Sequence, residues 1–135
     1  MENLFKVTVT AGGAVVGLLF GGWGVLVQVL IVFVIADYLT GILAGIYNGE
    51  LNSKVGFRGI AKKIAIFILV VIAHQVDIVL GDKNMLRDAV IFFYLANELI
   101  SMLENISRMG MNIPDKLKHV IGLLQDKAGE NERKE

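Results

Sequence analysis

The sequence predicts an all-α integral membrane protein with four transmembrane helices and a C-terminal amphipathic helix. Hydrophobic residues make up 55% of the 135 residues and charged residues only 19%, whereas soluble domains carry about 25% charged residues. Between Lys6 and Glu50 the only charged residue is Asp37. Uncharged apolar runs of about 18 residues or more are typical of membrane-spanning helices. We therefore do not expect a soluble globular enzyme.

The first apolar block, residues 7–49, is too long for a single span. As one helix it would extend about 65 Å, against a hydrocarbon core of about 30 Å, so it must fold back once. The glycines at 21, 22 and 24 free the backbone for a turn, and Trp23 suits a membrane–water interface. These features predict a short first helix at 8–21 and a full-length second helix at 25–47. The first helix either crosses the bilayer or is interfacial or re-entrant.

The rest of the chain contains two more apolar runs and a polar C-terminal segment. A polar connection at 48–63 leads into a third helix at 60–80, and a turn at 81–84 leads into a fourth helix at 86–108. Asn112 and Pro114 suit the start of a short amphipathic helix, followed by a charged tail at 129–135 that we expect to be disordered. The predicted domains are a transmembrane region at 1–110 and a cytoplasmic segment at 111–135.

The basic residues predict the orientation of the spans. The 48–63 connection carries Lys54, Arg58, Lys62 and Lys63 against Glu50, whereas the 81–84 turn carries one charge of each sign. By the positive-inside rule this connection is cytoplasmic and the turn external. The C-terminus is then cytoplasmic too. The same four basic residues could also contact anionic lipid headgroups.

Asp37 is the most informative single residue. It lies near the middle of the second span, where a carboxylate costs about 2.5–3.5 kcal/mol. Gly41 and Gly45 follow it at four-residue spacing and would admit another helix closely. Asp37 therefore either takes part in oligomerisation, gating or pore lining, or is satisfied within its own subunit and fixes helix packing.

Glycines also mark one side of the first helix. Gly13, Gly17 and Gly21 recur at four-residue spacing, which creates a groove for close helix association. Packing between subunits and packing within one subunit explain this pattern equally well.

The fourth helix carries a polar stripe. Residues spaced three and four apart share one side of a helix, and the stripe comprises Tyr94, Asn97, Glu98, Ser101, Glu104, Asn105 and Arg108. Glu98 lies near mid-span, where it needs a partner, so Asn97, Glu98 and Ser101 are candidates for an aqueous path or a subunit interface. Glu104 could instead mark the point where the helix enters the cytoplasm.

No catalytic, metal-binding or cofactor-binding pattern stands out. His74 and Asp77 lie one helical turn apart and could relay protons, but a hydrogen bond between them or contact with headgroups is the simpler interpretation. The chain has no cysteine and a formal net charge of zero. We therefore expect no enzyme activity, no cofactor, no metal and no nucleic-acid partner.

Four ordered blocks resemble the phage lysis and toxin-secretion holin family of Gram-positive bacteria and their phages. The resemblance extends from about residue 30 to residue 127. The first block is Asp37-Tyr38-Leu39-Thr40-Gly41, and the second begins with Asn52-Ser53-Lys54 and continues through Gly56-Phe57-Arg58-Gly59 and Ile60-Ala61 to Lys62-Lys63. The third is Phe92-Phe93-Tyr94-Leu95-Ala96-Asn97-Glu98 together with Leu103-Glu104-Asn105, and the fourth is Ile113-Pro114-Asp115-Lys116-Leu117.

The resemblance implies a holin. Such a protein accumulates in the bacterial cytoplasmic membrane and homo-oligomerises into lesions that let a cytoplasmic endolysin, or a toxin, cross, which causes timed host lysis. It implies no catalytic residue and no required direct contact with the endolysin. Three alternatives remain open: a small ion or proton channel or transporter subunit, a membrane adaptor that recruits a partner through the amphipathic helix, and a holin antagonist.

Overall fold

Five helices account for most of the chain in the computed structural model, which describes residues 1–133. They are α1 (Glu2–Phe20), α2 (Val25–Asn48), α3 (Ser53–Leu80), α4 (Met85–Arg108) and α5 (Asp115–Arg133). No strand occurs in this described range. The first four helices are long and apolar enough to cross a membrane. The predicted fold class, an all-α membrane protein, is therefore confirmed.

The first helix is longer than the predicted 8–21, because α1 already begins at Glu2. The Lys6 Nζ and Glu2 Oε1 atoms are 3.7 Å apart one turn along the helix, and the Thr8 hydroxyl donates to the Leu4 carbonyl. These contacts support helix in a stretch for which the sequence pattern predicts none. With 19 residues, α1 is about 28 Å long, so the expectation of a short first helix was wrong.

The third helix also begins earlier than predicted. Instead of starting near residue 60, α3 starts at Ser53, because the Asn52 side chain caps it by accepting a hydrogen bond from the Lys54 backbone N–H at 2.9 Å. An N-terminal Asn satisfies a backbone donor that would otherwise have no partner. The connection from α2 therefore shrinks to residues 49–52. The basic residues of the predicted loop lie on the first turns of α3.

The C-terminal segment is helical further than expected. We predicted disorder for 129–135, yet α5 continues to Arg133, so the prediction was wrong for 129–133; residues 134 and 135 lie outside the described range. A six-residue connection at 109–114 joins α4 to α5, and the two helices pack along each other. A short connection between helices that pack lengthwise makes them antiparallel.

The core forms around α4, which packs against α2, α3 and α5, while α1 packs mainly on α3. One cluster of buried apolar side chains joins α2, α3 and α4. It comprises Val27, Leu30, Val34, Ile66, Val70, Ile91 and Leu95. Polar side chains interrupt this core on both sides, and they form the candidate site.

Candidate functional site

A buried charged cluster connects α2, α3 and α4. The Lys63 Nζ donates to Asp37 Oδ2 at 2.5 Å and to Glu98 Oε2 at 2.9 Å. The Lys63 side chain is 16% exposed and both carboxylate side chains are 8% exposed. One cation from α3 therefore neutralises two acids that belong to different helices. With both carboxylates ionised, the cluster has a net charge of −1.

Amide and hydroxyl groups complete the hydrogen bonding of Asp37. Asn105 Nδ2 donates to Asp37 Oδ1 at 3.0 Å and to Thr40 Oγ1 at 3.1 Å. The Thr40 hydroxyl in turn donates to the Asp37 backbone carbonyl at 3.0 Å. Among the described residues, no buried side-chain nitrogen or oxygen lacks a hydrogen-bond partner. The polar groups of this site therefore satisfy one another without help from lipid.

Lys63 reaches the cluster because of its position on α3. Lys54, Arg58 and Lys62 follow one another at four-residue spacing and are exposed, whereas Lys63 is offset by one position and points inward. Neighbouring positions on a helix are about 100° apart. The four basic residues, predicted to act together as a topogenic group, thus divide into three surface cations and one buried cation.

A groove of about 430 Å³ extends from the ends of the helices to the cluster. Glu50 and Arg108 line it at the helix ends, where the Arg108 Nη2 is 2.8 Å from Glu50 Oε2, and Asp37 and Lys63 line it at the inner end. Its remaining lining includes Ser101, Asn105 and four glycines, Gly41, Gly45, Gly56 and Gly59. Charged side chains thus line both ends of the groove, and glycines, polar side chains and apolar side chains such as Ile42, Leu51 and Val55 line it between them.

Gly41 and Gly45, predicted to admit another helix, face groups of the same chain. A Cβ added at Gly41 would be 3.5 Å from Asn105 Nδ2, and one added at Gly45 would be 3.4 Å from the Leu51 Cδ1. Both distances are compatible with van der Waals contact. These glycines therefore open the groove more than they permit a tight helix crossing.

The glycine stripe of α1 is likewise filled from within the chain. The Trp23 indole Nε1 donates to the Gly13 carbonyl at 2.9 Å, and a Cβ at Gly17 would come within 2.8 Å of that nitrogen. Gly21 ends α1 with a φ of 81°, a left-handed conformation that suits glycine. The His74 ring packs directly against Gly21.

The polar stripe of α4 divides between two surfaces. Glu98 is buried in the charged cluster, and Ser101 lines the groove beside Asp37. Asn97 and Glu104 are exposed. The predicted residues Asn97, Glu98 and Ser101 thus differ in burial, with Glu98 buried, Ser101 half-buried and Asn97 exposed.

A second polar cluster lies at the opposite end of the bundle. Asp77 is fully buried, and its carboxylate accepts the backbone N–H groups of Leu86 and Arg87 at 3.0 and 2.8 Å, which caps α4. His74 Nδ1 lies 2.9 Å from Asn84 Oδ1, so the hydrogen bond between His74 and Asp77, one of the two simpler interpretations of this pair, does not form.

Arg87 extends this cluster to α1, because its guanidinium donates to the Phe20 carbonyl at 3.0 Å. Sequence reasoning missed Arg87, although a cation at the start of an apolar helix is a signal that could have identified it. Within the described residues, no group of three His, Cys, Asp or Glu side chains could hold a metal ion.

The sequence of this chain is similar to those of several known proteins. The profile of the bacteriophage holin family matches residues 14–126. An uncharacterised protein of Listeria innocua is 58% identical over 134 residues, which cover 99% of this chain and 96% of that protein. A 14.9 kDa protein of Clostridium perfringens is 37% identical over 131 residues, covering 94% of this chain and 99% of that protein. The probable holin of Bacillus phage phi105 is 31% identical over 109 residues, covering 78% and 80%. No solved structure matches the chain significantly.

Proposed function

The chain belongs to the bacteriophage holin family, and we propose that it accumulates in the bacterial cytoplasmic membrane and self-associates into lesions through which a cytoplasmic endolysin, or a toxin, crosses. Family membership supports this proposal, together with four helices that are long and apolar enough to cross a membrane, three of which hold a charged cluster between them. The family points to a non-enzymatic membrane protein that acts by oligomerising in the bilayer. Its partners are then other copies of itself, the lipid and an enzyme that it need not touch.

The orientation of the subunit is part of the proposal. The exposed cations Lys54, Arg58 and Lys62 lie at the end of α3 next to the connection from α2. The positive-inside rule assigns this end to the cytoplasm. Each of these cations would also gain about 1 kcal/mol near anionic lipid. The groove would then open towards the cytoplasm, and the Asp77 cluster would lie near the external surface.

In this mechanism the charged cluster holds the helices of a single subunit together. While Lys63 holds Asp37 and Glu98, α2, α3 and α4 stay together and none of these three charges meets lipid. Parting these helices in lipid would expose buried charges at considerable cost. In a dense patch of subunits, water admitted between neighbours lowers that cost. Assembly thus depends on the surface density of the protein, which agrees with lysis at a set time.

Loss of the membrane potential is the trigger that best suits a charged cluster within the span. Moving one charge through the full field changes the energy by about 2.3 kcal/mol per 100 mV. With both carboxylates ionised the cluster carries a net charge of −1, so its movement along the membrane normal would couple to the field.

A second function, conduction of ions or protons, is favoured by the groove that leads from the helix ends to Lys63 and Asp37. The two functions differ in the size of what crosses. A holin lesion passes a folded enzyme, whereas a conduction path along the groove passes only small ions.

The test is induced expression in a bacterium, with and without a co-expressed muralytic enzyme that lacks an export signal. Abrupt loss of turbidity that needs both proteins supports the holin function. Depolarisation or growth arrest without lysis in either culture overturns it in favour of an ion channel. No effect at verified membrane levels also overturns it and favours an adaptor or an antagonist of lesion formation.

A further inference from the structure

Helix α5 packs deep along α4. Leu124 packs against the core cluster and Ala128 is only 5% exposed. From Asp115, the antiparallel helix has covered about 14 Å at Leu124 and about 20 Å at Ala128. The 24 residues of α4 extend about 36 Å. The inner face of α5 therefore contacts α4 well beyond the cytoplasmic end of the bundle.

The outer face of α5 is hydrophilic over the same depth. Asp115, Lys118, His119, Gly122 and Asp126 are exposed, and helical spacing puts them on the side away from Leu124 and Ala128. Asp126 lies about 16 Å along the helix. In a single subunit surrounded by lipid, this docked position would put charged groups into hydrocarbon, which strongly disfavours them.

The other outer surfaces of the bundle have the opposite character. Most of the exposed large apolar side chains lie on α1, α2 and α3, whereas in the described part of the chain α4 exposes only Phe93 and Ile100, and α5 only Leu117, Val120 and Leu123. Of the charged residues in α2 and in the apolar part of α3, Asp37 and Asp77 are buried and Lys63 is partly buried. The subunit thus has an apolar side and a polar side.

We propose that the α4–α5 hairpin is the surface that faces water in the assembled lesion, with α1, α2 and α3 facing lipid. This inference rests on the proposed function and specifies which face of the subunit lines the opening. The exposed Asn97 and Glu104 of α4 contribute to the same face.

The experiment measures where α5 lies in assembled protein. The chain contains no cysteine, so spin labels can be placed on Lys83→Cys and Asp126→Cys without removing native thiols. Both positions are off the buried core: Lys83 and Asp126 are exposed. The full-length protein is reconstituted in liposomes, diluted with unlabelled copies, and tested for release of an encapsulated enzyme in the same sample.

If α5 is docked along α4, the labels at positions 83 and 126 should be about 20–25 Å apart. This distance follows from the helical rise and a spacing of about 9 Å between the helix axes. If α5 lies flat on the cytoplasmic surface, the separation exceeds about 36 Å, the length of α4. In samples that release enzyme, the long distance overturns the inference.

A second measurement identifies the environment of the docked helix. The Asp126→Cys label should collide with a water-soluble nickel complex at least several-fold more often than a label at Ile68→Cys, which lies on the apolar side of α3. Preference of both labels for lipid-dissolved oxygen would overturn the inference even at the short distance. Failure to release enzyme at the short distance contradicts the proposed function but leaves the packing of α5 on α4 intact.

Discussion

The Lys63 Nζ lies 2.5 Å from the Asp37 carboxylate, although 26 positions separate the two residues in the sequence. This contact joins α2 to α3 at a depth where neither charge could be left alone in lipid. Glu98 adds α4 to the same cation. Elsewhere along their length α2 and α3 approach each other only sparsely, so the charged cluster is a major link between these two helices.

Replacing Lys63 with methionine should destabilise the bundle. The change leaves Asp37 and Glu98 buried beside each other without a cation, and removing one partner of a buried ion pair costs about 3–5 kcal/mol. The free energy of unfolding in detergent, followed by loss of helical signal, measures the effect. The exposed Lys62→Met is the matched control and should cost little. Equal stability of the two variants would contradict the role of the cluster.

Replacing Asp37 with asparagine should advance lysis. The variant keeps an oxygen for Asn105 but loses the charge-assisted bond to Lys63, which is worth about 1.5–3 kcal/mol. The contact between α2 and α3 is therefore weaker, and lesions should form at a lower surface density of the protein. The time from induction to loss of turbidity is measured at matched protein level, with Asp82→Asn as control. Unchanged timing would remove Asp37 from the timing mechanism.

Replacing Gly17 with alanine should disturb the packing of Trp23. The added Cβ would approach the indole Nε1 to 2.8 Å, and overpacking of this kind costs about 1–3 kcal/mol. Trp23 is the only tryptophan, so its fluorescence reports directly on the change. At Gly12, an added Cβ meets nothing within 4 Å, and alanine there should be neutral or stabilising. Identical spectra for both variants would refute the contact.

Replacing Asp77 with alanine should loosen the start of α4. The carboxylate accepts two backbone N–H groups that have no other partner in the helix, and loss of such a cap costs about 0.5–2 kcal/mol. Asp77→Asn keeps one acceptor oxygen and should lose less. Thermal unfolding in detergent ranks the two variants. If the Asp77→Ala variant unfolded at the same temperature as the wild type, the cap would contribute nothing to stability.

The positions of α2 and α4 were predictable to within about one residue, because glycines and polar turns end their apolar runs. The start of α3 was not, because Lys54, Arg58 and Lys62 reduce hydropathy without preventing helix formation. Asn52 decides the start of α3 through one hydrogen bond, which an average over a window of residues does not detect.

The need for a partner at Asp37 followed from its place in the span, whereas the identity of that partner did not. The polar pattern around Lys63 indicates a loop, and whether its side chain turns inward depends on the helix that carries it. The position of α5 was also beyond sequence reasoning, because an amphipathic helix suits a membrane surface and a helix face equally well. The groove arises from the meeting of three helices and has no local sequence pattern.

The long separation between Asp37 and its cation has a consequence for biosynthesis. The ribosome adds about 5–20 residues per second, so Asp37 is added roughly 1–5 s before Lys63, which follows it by 26 positions. During that interval Asp37 has no counter-charge, and transfer of α2 alone into the bilayer is opposed by its carboxylate. Entry of α2 and α3 together, as a hairpin that carries its charges already paired, avoids this barrier.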